Sequence, residues 1–195
     1  MTLSDPMRLP IAVAAAIAGI VAMGLGLVAR FDGNRVPAAD ETGSNAARAG
    51  DARAELVRHL EQTPGDARSW VLLARTDFEA DRFADAADAY KRALATGRKV
   101  ALDPGIWCEY ADALGMSQGG SLAGKPRELV MRALAQDPKH PKALEMAGSA
   151  TYEAGEYASA VGYWRELLLQ LPQDSSEHAE LAAAIARAAE RAQGP

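Results

Sequence analysis

The residues Gly119 to Pro126, GGSLAGKP, have types and a spacing that could bind phosphate. Read as G-x-x-x-x-G-K, they begin like a P-loop, in which backbone N–H groups and a lysine hold phosphate oxygens. A P-loop follows a buried β-strand, and a Ser or Thr after its lysine binds magnesium. Here the preceding residues have helical spacing, and Pro126, which suits the first turn of a helix, follows Lys125. We therefore predict a widened turn between two helices and no nucleotide binding.

Other reactive side chains are few. The three histidines, His59, His140 and His178, fall on separate predicted helices or turns without the spacing of metal or haem ligands. Cys108 is the one cysteine, so no intramolecular disulfide can form. It is either a thiol that contacts a cysteine-bearing client or a small inert side chain, and the absence of an evident activating base favours the second. Without a nucleophile–base pair, metal cluster or cofactor loop, we expect a protein that is not an enzyme and binds no metal or cofactor.

Composition indicates tightly packed helices and a poor nucleic-acid binder. Alanine is abundant, aromatic residues make up 6% of the 195 residues, and runs of β-branched residues are nearly absent. The net charge is −5, and residues 1–50 hold four basic and four acidic side chains, which leaves 17 basic and 22 acidic for the rest. An acidic domain without a basic stripe argues against nucleic acid as a partner.

Residues 9–29, LPIAVAAAIAGIVAMGLGLVA, carry no charge over a length sufficient to cross a bilayer, about 20 residues. We predict a transmembrane anchor here, after a short N-terminal tail at 1–8. A cleaved signal peptide is the alternative, although Leu27 before Ala29 makes a poor cleavage site. Basic residues flank the segment on both sides, so charge does not fix its orientation. The polar residues 30–50, rich in Gly, Pro and Asn, predict a flexible linker.

From Asp51 onward the sequence repeats itself. Prolines that close predicted helices recur at 64, 104, 138 and 172, at intervals of 40, 34 and 34 residues, and the stretches YKRALATG, VMRALAQDP and WRELLLQLP align before the last three. This pattern resembles the tetratricopeptide repeat, a helix-turn-helix unit of 34 residues. We therefore predict an all-α, right-handed tetratricopeptide solenoid over 51–192. Its repeats are at about 66–98, 104–138 and 141–172, with one capping helix at 51–62 and another at 175–192.

Two kinds of residue are expected to pack these repeats together. Small side chains let the two helices of a hairpin approach closely, and large aromatic side chains fill the space between neighbours. The predicted packing residues are Trp70, Ala74, Tyr90, Ala93, Trp107, Ala111, Ala133, Gly148 and Trp164. The middle repeat departs from the pattern, because Ala111 to Ala133 spans 22 residues where the outer repeats span 19. The extra residues belong to GGSLAGKP.

A more specific resemblance covers about residues 51–190. Its motifs are Q-G-G-x-L-x-G-x-P at Gln118 to Pro126, R-A-L-x-x-D-P-x-H at Arg132 to His140 and W-x-x-L-L-x-x-L-P at Trp164 to Pro172. Together they resemble the tetratricopeptide domain of cytochrome c maturation proteins of the CcmI/CycH and NrfG type. Members of the CcmI type usually carry two membrane helices with a zipper-like segment between them, whereas one is predicted here. In this respect the chain is similar to the shorter, single-anchor NrfG-like form.

In a tetratricopeptide stack the first helix of each repeat lines the concave side, and its exposed face forms a groove. This groove would mix apolar anchors with charges of both signs, which suits an amphipathic peptide helix. The alternative is that Phe78 and Tyr152 are ordinary packing residues and the charges are only solvated. The predicted groove residues are Arg68, Val71, Arg75, Phe78, Glu79, Cys108, Asp112, Met116, Lys142, Glu145, Ser149 and Tyr152.

The resemblance implies a role in cytochrome c biogenesis. It implies a single-pass protein of the bacterial inner membrane, anchored in the lipid bilayer through 9–29, with its repeat domain in the periplasm. The domain would hold apocytochrome c, by a C-terminal helix in the groove, for membrane haem-attachment proteins. The alternative is a general inner-membrane scaffold or holdase for protein assembly with no connection to haem.

Overall fold

The computed structural model describes residues 39–194, and every regular element in that range is an α-helix. The helices are α1 Ala39–Gln62, α2 Ala67–Glu79, α3 Phe83–Thr96, α4 Arg98–Ala101, α5 Pro104–Ser117, α6 Lys125–Gln136, α7 Pro141–Glu153, α8 Tyr157–Leu168 and α9 Ser176–Ala192. Three hairpins, α2–α3, α5–α6 and α7–α8, pack in succession, with α1 against α2 and α9 against α8. This arrangement confirms the predicted all-α stack of helix hairpins.

Local sequence sets where these helices begin. Side chains accept hydrogen bonds from free backbone N–H groups at four N-termini: Asp66 at α2, Asp103 at α5, His140 at α7 and Ser175 at α9. Hydrogen bonds lower the pKa of Asp66 to about 2, with the Ser69 hydroxyl contributing most and the His59 ring next. This cap therefore stays ionised in mild acid. Pro104, Pro126 and Pro141 occupy first turns, where a missing N–H costs nothing.

The first helix differs from the sequence prediction. It begins at Ala39, so the prediction of a flexible linker over 30–50 is wrong for residues 39–50. This stretch lacks an apolar period, but Ala46, Ala47 and Ala49 favour helix, and extending an existing helix requires no new nucleation. The predicted tail at 1–8 and anchor at 9–29 lie outside the described residues. Between Ala39 and Ala192, no helix is both long and apolar enough to span a bilayer.

A buried carboxylate fixes α1 to the first hairpin. Asp77 is 1% exposed and accepts hydrogen bonds from the Nε atoms of Arg53 on α1, at 2.6 Å, and of Arg82, at 2.7 Å. The hydrogen bond to Asp77 raises the pKa of Arg53. A buried carboxylate is tolerated only when it is paired in this way, so α1 and the turn after α2 depend on each other.

The core contains small residues where two helices cross closely. Ala74, Ala93, Ala111 and Ala133 are fully buried, and a methyl group at Gly148 would overlap the indole of Trp164. The rings of Tyr90 and Trp164 fill the space beside these crossings, each 2% exposed.

The tryptophans Trp70 and Trp107 are half-buried at the N-terminal ends of α2 and α5. Their indole N–H groups donate to the carbonyls of Pro64 and Ala101, both at 2.9 Å. These hydrogen bonds therefore hold the segments before α2 and α5 against the start of each helix.

Candidate functional site

The predicted groove residues all lie on α2, α5 and α7, the first helices of the three hairpins. We call the surface that carries them the first-helix face. Its members differ widely in exposure and in the partners they have, and these differences decide what the face can bind.

The guanidinium of Arg75 is engaged within the protein. Its Nε and Nη2 atoms donate to both carboxylate oxygens of Glu109 on α5, at 2.9 and 2.7 Å. The buried Tyr90 hydroxyl donates to the same carboxylate at 2.8 Å. Burial, and then the Glu109 charge, raise the pKa of Tyr90, while Glu109 raises the pKa of Arg75. Arg75 therefore joins the first repeat to the second, through a glutamate that the sequence analysis did not select.

The charges of α5 and α7 compensate each other in the same way. The Lys142 ammonium lies 3.8 Å from Asp112 and 3.6 Å from Glu145. Partly exposed pairs of this kind contribute little to stability, about 0–1 kcal/mol. Their consequence here is electrostatic. Arg75 and Glu109 cancel each other, and Lys142 offsets one of the two carboxylates beside it, so the centre of the first-helix face keeps one negative charge in excess.

Two predicted groove residues belong to the core instead. Val71 is 8% exposed and Cys108 is 1% exposed, so neither offers a surface to a peptide. Each follows the opening tryptophan of its repeat and turns into the packing between helices. The sulfur of Cys108 lies 4.0 Å from Nδ1 of His140, and burial raises the pKa of the thiol to about 12. A thiol that stays protonated is a poor nucleophile, which favours the inert role for Cys108.

Several side chains of the first-helix face remain accessible. Arg68 and Glu79 are exposed, Met116 is 42% exposed, and Ser149 is half-buried. Phe78 and Tyr152 are half-buried and also pack within the protein. Phe78 meets Phe83 edge to face at 5.2 Å, and Tyr152 meets Tyr157 at 5.2 Å and Trp164 at 5.6 Å. The two interpretations of these aromatic residues are therefore not exclusive.

The loop GGSLAGKP lies between two helices, α5 and α6, and is held against the third repeat. The backbone N–H of Leu122 donates to Glu153 at 3.1 Å, and Arg127 donates to both oxygens of Glu156 at 2.7 and 2.5 Å. The Lys125 ammonium bonds to Glu128 at 2.6 Å. The lysine is thus directed to a carboxylate on its own helix, and a helix stands where a P-loop would have a strand.

Comparison with protein families gives one match over most of the domain. The family model of the cytochrome c-type biogenesis protein H TPR domain matches residues 54–178. The cytochrome c-type biogenesis protein CycH of Pseudomonas aeruginosa is 34% identical over 139 residues, which cover 71% of this chain and 33% of that protein. CycH of Rhizobium meliloti is 32% identical over 140 residues, which cover 68% of this chain and 36% of that protein. The chain thus spans about a third of the length of the curated relatives it matches.

Solved structures agree on the fold alone. A crystal structure of MamA has a TM-score of 0.58 at 13% identity, covering 82% of this chain and 97% of that chain. The first TPR of Spaghetti (RPAP3), bound to an HSP90 peptide, has a TM-score of 0.53 at 16% identity, covering 64% of this chain and 95% of that chain. At these identities the likeness supports the helix-hairpin stack and carries no ligand over to this chain.

Proposed function

Because this chain belongs to the family of the cytochrome c-type biogenesis protein H TPR domain, we propose that it is a non-enzymatic binding subunit of cytochrome c biogenesis. It holds apocytochrome c by a C-terminal helix against the first-helix face and presents it to membrane haem-attachment proteins. Residues 9–29 anchor it in the bacterial inner membrane, with the repeats in the periplasm.

The observation that carries this proposal is the accessible apolar side chain near the end of each first helix. Met116 is 42% exposed, and Phe78 and Tyr152 keep part of their rings accessible. Charged residues of both signs are exposed on the same helix, with Glu79 next to Phe78 and Arg68 at the opposite end of α2. Spaced apolar contacts bordered by charges suit one face of an amphipathic helix, which supports a helical segment as the ligand.

The state of the cytochrome should decide whether it binds. In a folded holocytochrome the C-terminal helix packs against its own core and cannot offer its apolar face. In the apoprotein that face is free. The subunit would thus select the substrate of haem attachment over the product, by accessibility alone and without contact with haem.

Titration calorimetry of the full chain with apo- and holo-forms of one c-type cytochrome tests the proposal. The structure supplies a matched pair of variants, because Met116 on α5 and Met131 on α6 are both 42% exposed. Met116→Glu should weaken apocytochrome binding by about 1–2 kcal/mol, since an unpaired carboxylate would face the apolar side of the helix. Met131→Glu, outside the first-helix face, should bind like wild type.

Equal binding of apo- and holo-cytochrome, or unchanged binding by Met116→Glu, would reject the proposal. A further arm uses an unrelated unfolded polypeptide of similar length. If it binds as tightly as the apocytochrome, a general holdase at the inner membrane becomes the better account.

A further inference from the structure

One position on the first helices sets the middle repeat apart from the two outer repeats. Four residues after the close crossings at Ala74, Ala111 and Gly148 come Phe78, Gly115 and Tyr152. The outer repeats thus place an aromatic ring at this position, where the middle repeat has glycine. Each ring packs on a second one, from Phe83 or Tyr157, at the start of the following helix.

The widened loop supplies the side chain that Gly115 lacks. A methyl group at Gly115 would come within 3.3 Å of the Leu122 side chain and 3.1 Å of the Ser121 carbonyl, so the loop lies directly over it. The hydrogen bond from the Leu122 N–H to Glu153 places the same residue beside Tyr152. Half-buried apolar side chains therefore run from one repeat to the next along the turns inside the hairpins. We call this row the turn edge: Phe78, Phe83, Leu122, Tyr152 and Tyr157.

The charge beside this row is mostly acidic. Glu79 and Asp81 are exposed and, within residues 39–194, have no cationic group within 4.0 Å. In the same part of the chain, Glu153 accepts hydrogen bonds from two neutral groups of the loop, the Ser121 hydroxyl and the Leu122 N–H.

The basic groups near the row are largely engaged. Arg82 bonds to Asp77, Lys125 to Glu128 and Arg127 to Glu156. Arg191 lies over the rings of Tyr152 and Tyr157, at one end of the row. The remainder of the row is left with uncompensated negative charge.

We propose that the turn edge is the docking site of a basic amphipathic helix. Leucine-like residues of the partner lie on the apolar row, and its lysines or arginines face Glu79, Asp81 and Glu153. Packed helices lie about 8–10 Å apart, which corresponds to about five to seven residues of a helix that rises about 1.5 Å per residue. The partner therefore presents one apolar contact per heptad to each repeat. This inference rests on the proposed function only in taking the partner to be a peptide helix.

The test uses synthetic peptides and the full chain in phosphatidylcholine nanodiscs, with empty nanodiscs as the blank. One fluorescent 21-residue peptide has leucines in heptad spacing and lysines elsewhere, and its counterpart replaces every lysine by glutamate. In low salt the lysine peptide should bind about tenfold tighter by anisotropy. The double variant Glu79→Gln/Asp81→Asn should lower that affinity about three- to tenfold. The matched variant Asp174→Asn/Glu180→Gln removes the same two charges, just before α9 and near its first turn. It should leave the affinity for the lysine peptide unchanged.

A diazirine on the apolar face of the lysine peptide locates the site by cross-linking and mass spectrometry. Cross-links at residues 78–83, 120–124 and 152–157 support the inference. Cross-links concentrated at Arg68, Ser149 and the centre of the first-helix face overturn it, as does equal binding of the two peptides. If apocytochrome fails to bind while the lysine peptide cross-links to the turn edge, only the proposed function fails. If apocytochrome binds while the lysine peptide cross-links outside the turn edge, only the turn-edge inference fails.

Discussion

The middle repeat and the outer repeats build the same part of the fold by different means. In the outer repeats, rings from two successive helices pack together, Phe78 with Phe83 and Tyr152 with Tyr157. In the middle repeat the first helix has Gly115 at this position, and Leu122 reaches over it from a loop. A stack of repeats thus requires the space to be filled but does not require the filling residue to come from a helix. The glycine-rich loop, which looks like a nucleotide site in the sequence, is a packing device.

The largest loss of stability is expected where α7 and α8 cross in the third repeat. Gly148→Ala should destabilise the protein by about 3 kcal/mol, because the methyl group overlaps Trp164. The first repeat has Ala74 and Tyr90 at the corresponding positions, so Gly148→Ala/Trp164→Tyr should recover part of the loss. Urea unfolding of the single and double variants measures both effects. Gly162→Ala, in open space on α8, is the control and should be neutral or stabilising. A double variant no more stable than Gly148→Ala would show that the repeats are not equivalent here.

The loop residue is the next place to test. Leu122→Ala should cost about 2 kcal/mol, the low end for a leucine truncation, because the side chain is half-buried over Gly115. Leu169→Ala is the matched control, since Leu169 is 81% exposed, and its unfolding midpoint should barely move. Similar losses from the two variants would mean that Leu122 does not fill the middle repeat.

The turns of the two outer repeats have different residues at the position with a left-handed backbone. Asp81 has φ of 57° and Gly155 has φ of 76°, each shortly after the first helix of its hairpin. A left-handed backbone costs an ordinary residue about 1–2 kcal/mol, and asparagine and aspartate somewhat less. Asp81→Gly should therefore raise the unfolding free energy by up to about 1 kcal/mol, and Gly155→Asp should lower it by a similar amount. Thermal unfolding of both variants checks the sign, and a destabilised Asp81→Gly would contradict it.

The smallest effect is expected at the lysine of the loop. Lys125→Ala removes an exposed ion pair with Glu128 and should change stability by less than about 0.5 kcal/mol. ATP with magnesium should leave the melting temperature of the wild type unchanged. A saturable, magnesium-dependent rise would show that the loop binds nucleotide after all.

The sequence by itself determined the helix hairpins, their order and the widened turn. Capping residues, first-turn prolines and the recurring small residues act over a few positions, so their effect can be recognised without tertiary contacts. The family was recognisable for the same reason, because its motifs lie in continuous stretches such as Gln118 to Pro126.

Only the tertiary structure decided which of the predicted groove residues are available. Cys108 and Val71 are buried because a neighbouring helix covers them, and Arg75 is neutralised because Glu109, 34 residues away in the chain, lies beside it. The continuity of the turn edge has the same origin, since Leu122 and Glu153 meet only when the third repeat packs on the second. Helical spacing defines which side chains share a face of one helix. Burial and charge compensation depend on the next helix in the stack, whose contacts the local sequence does not specify.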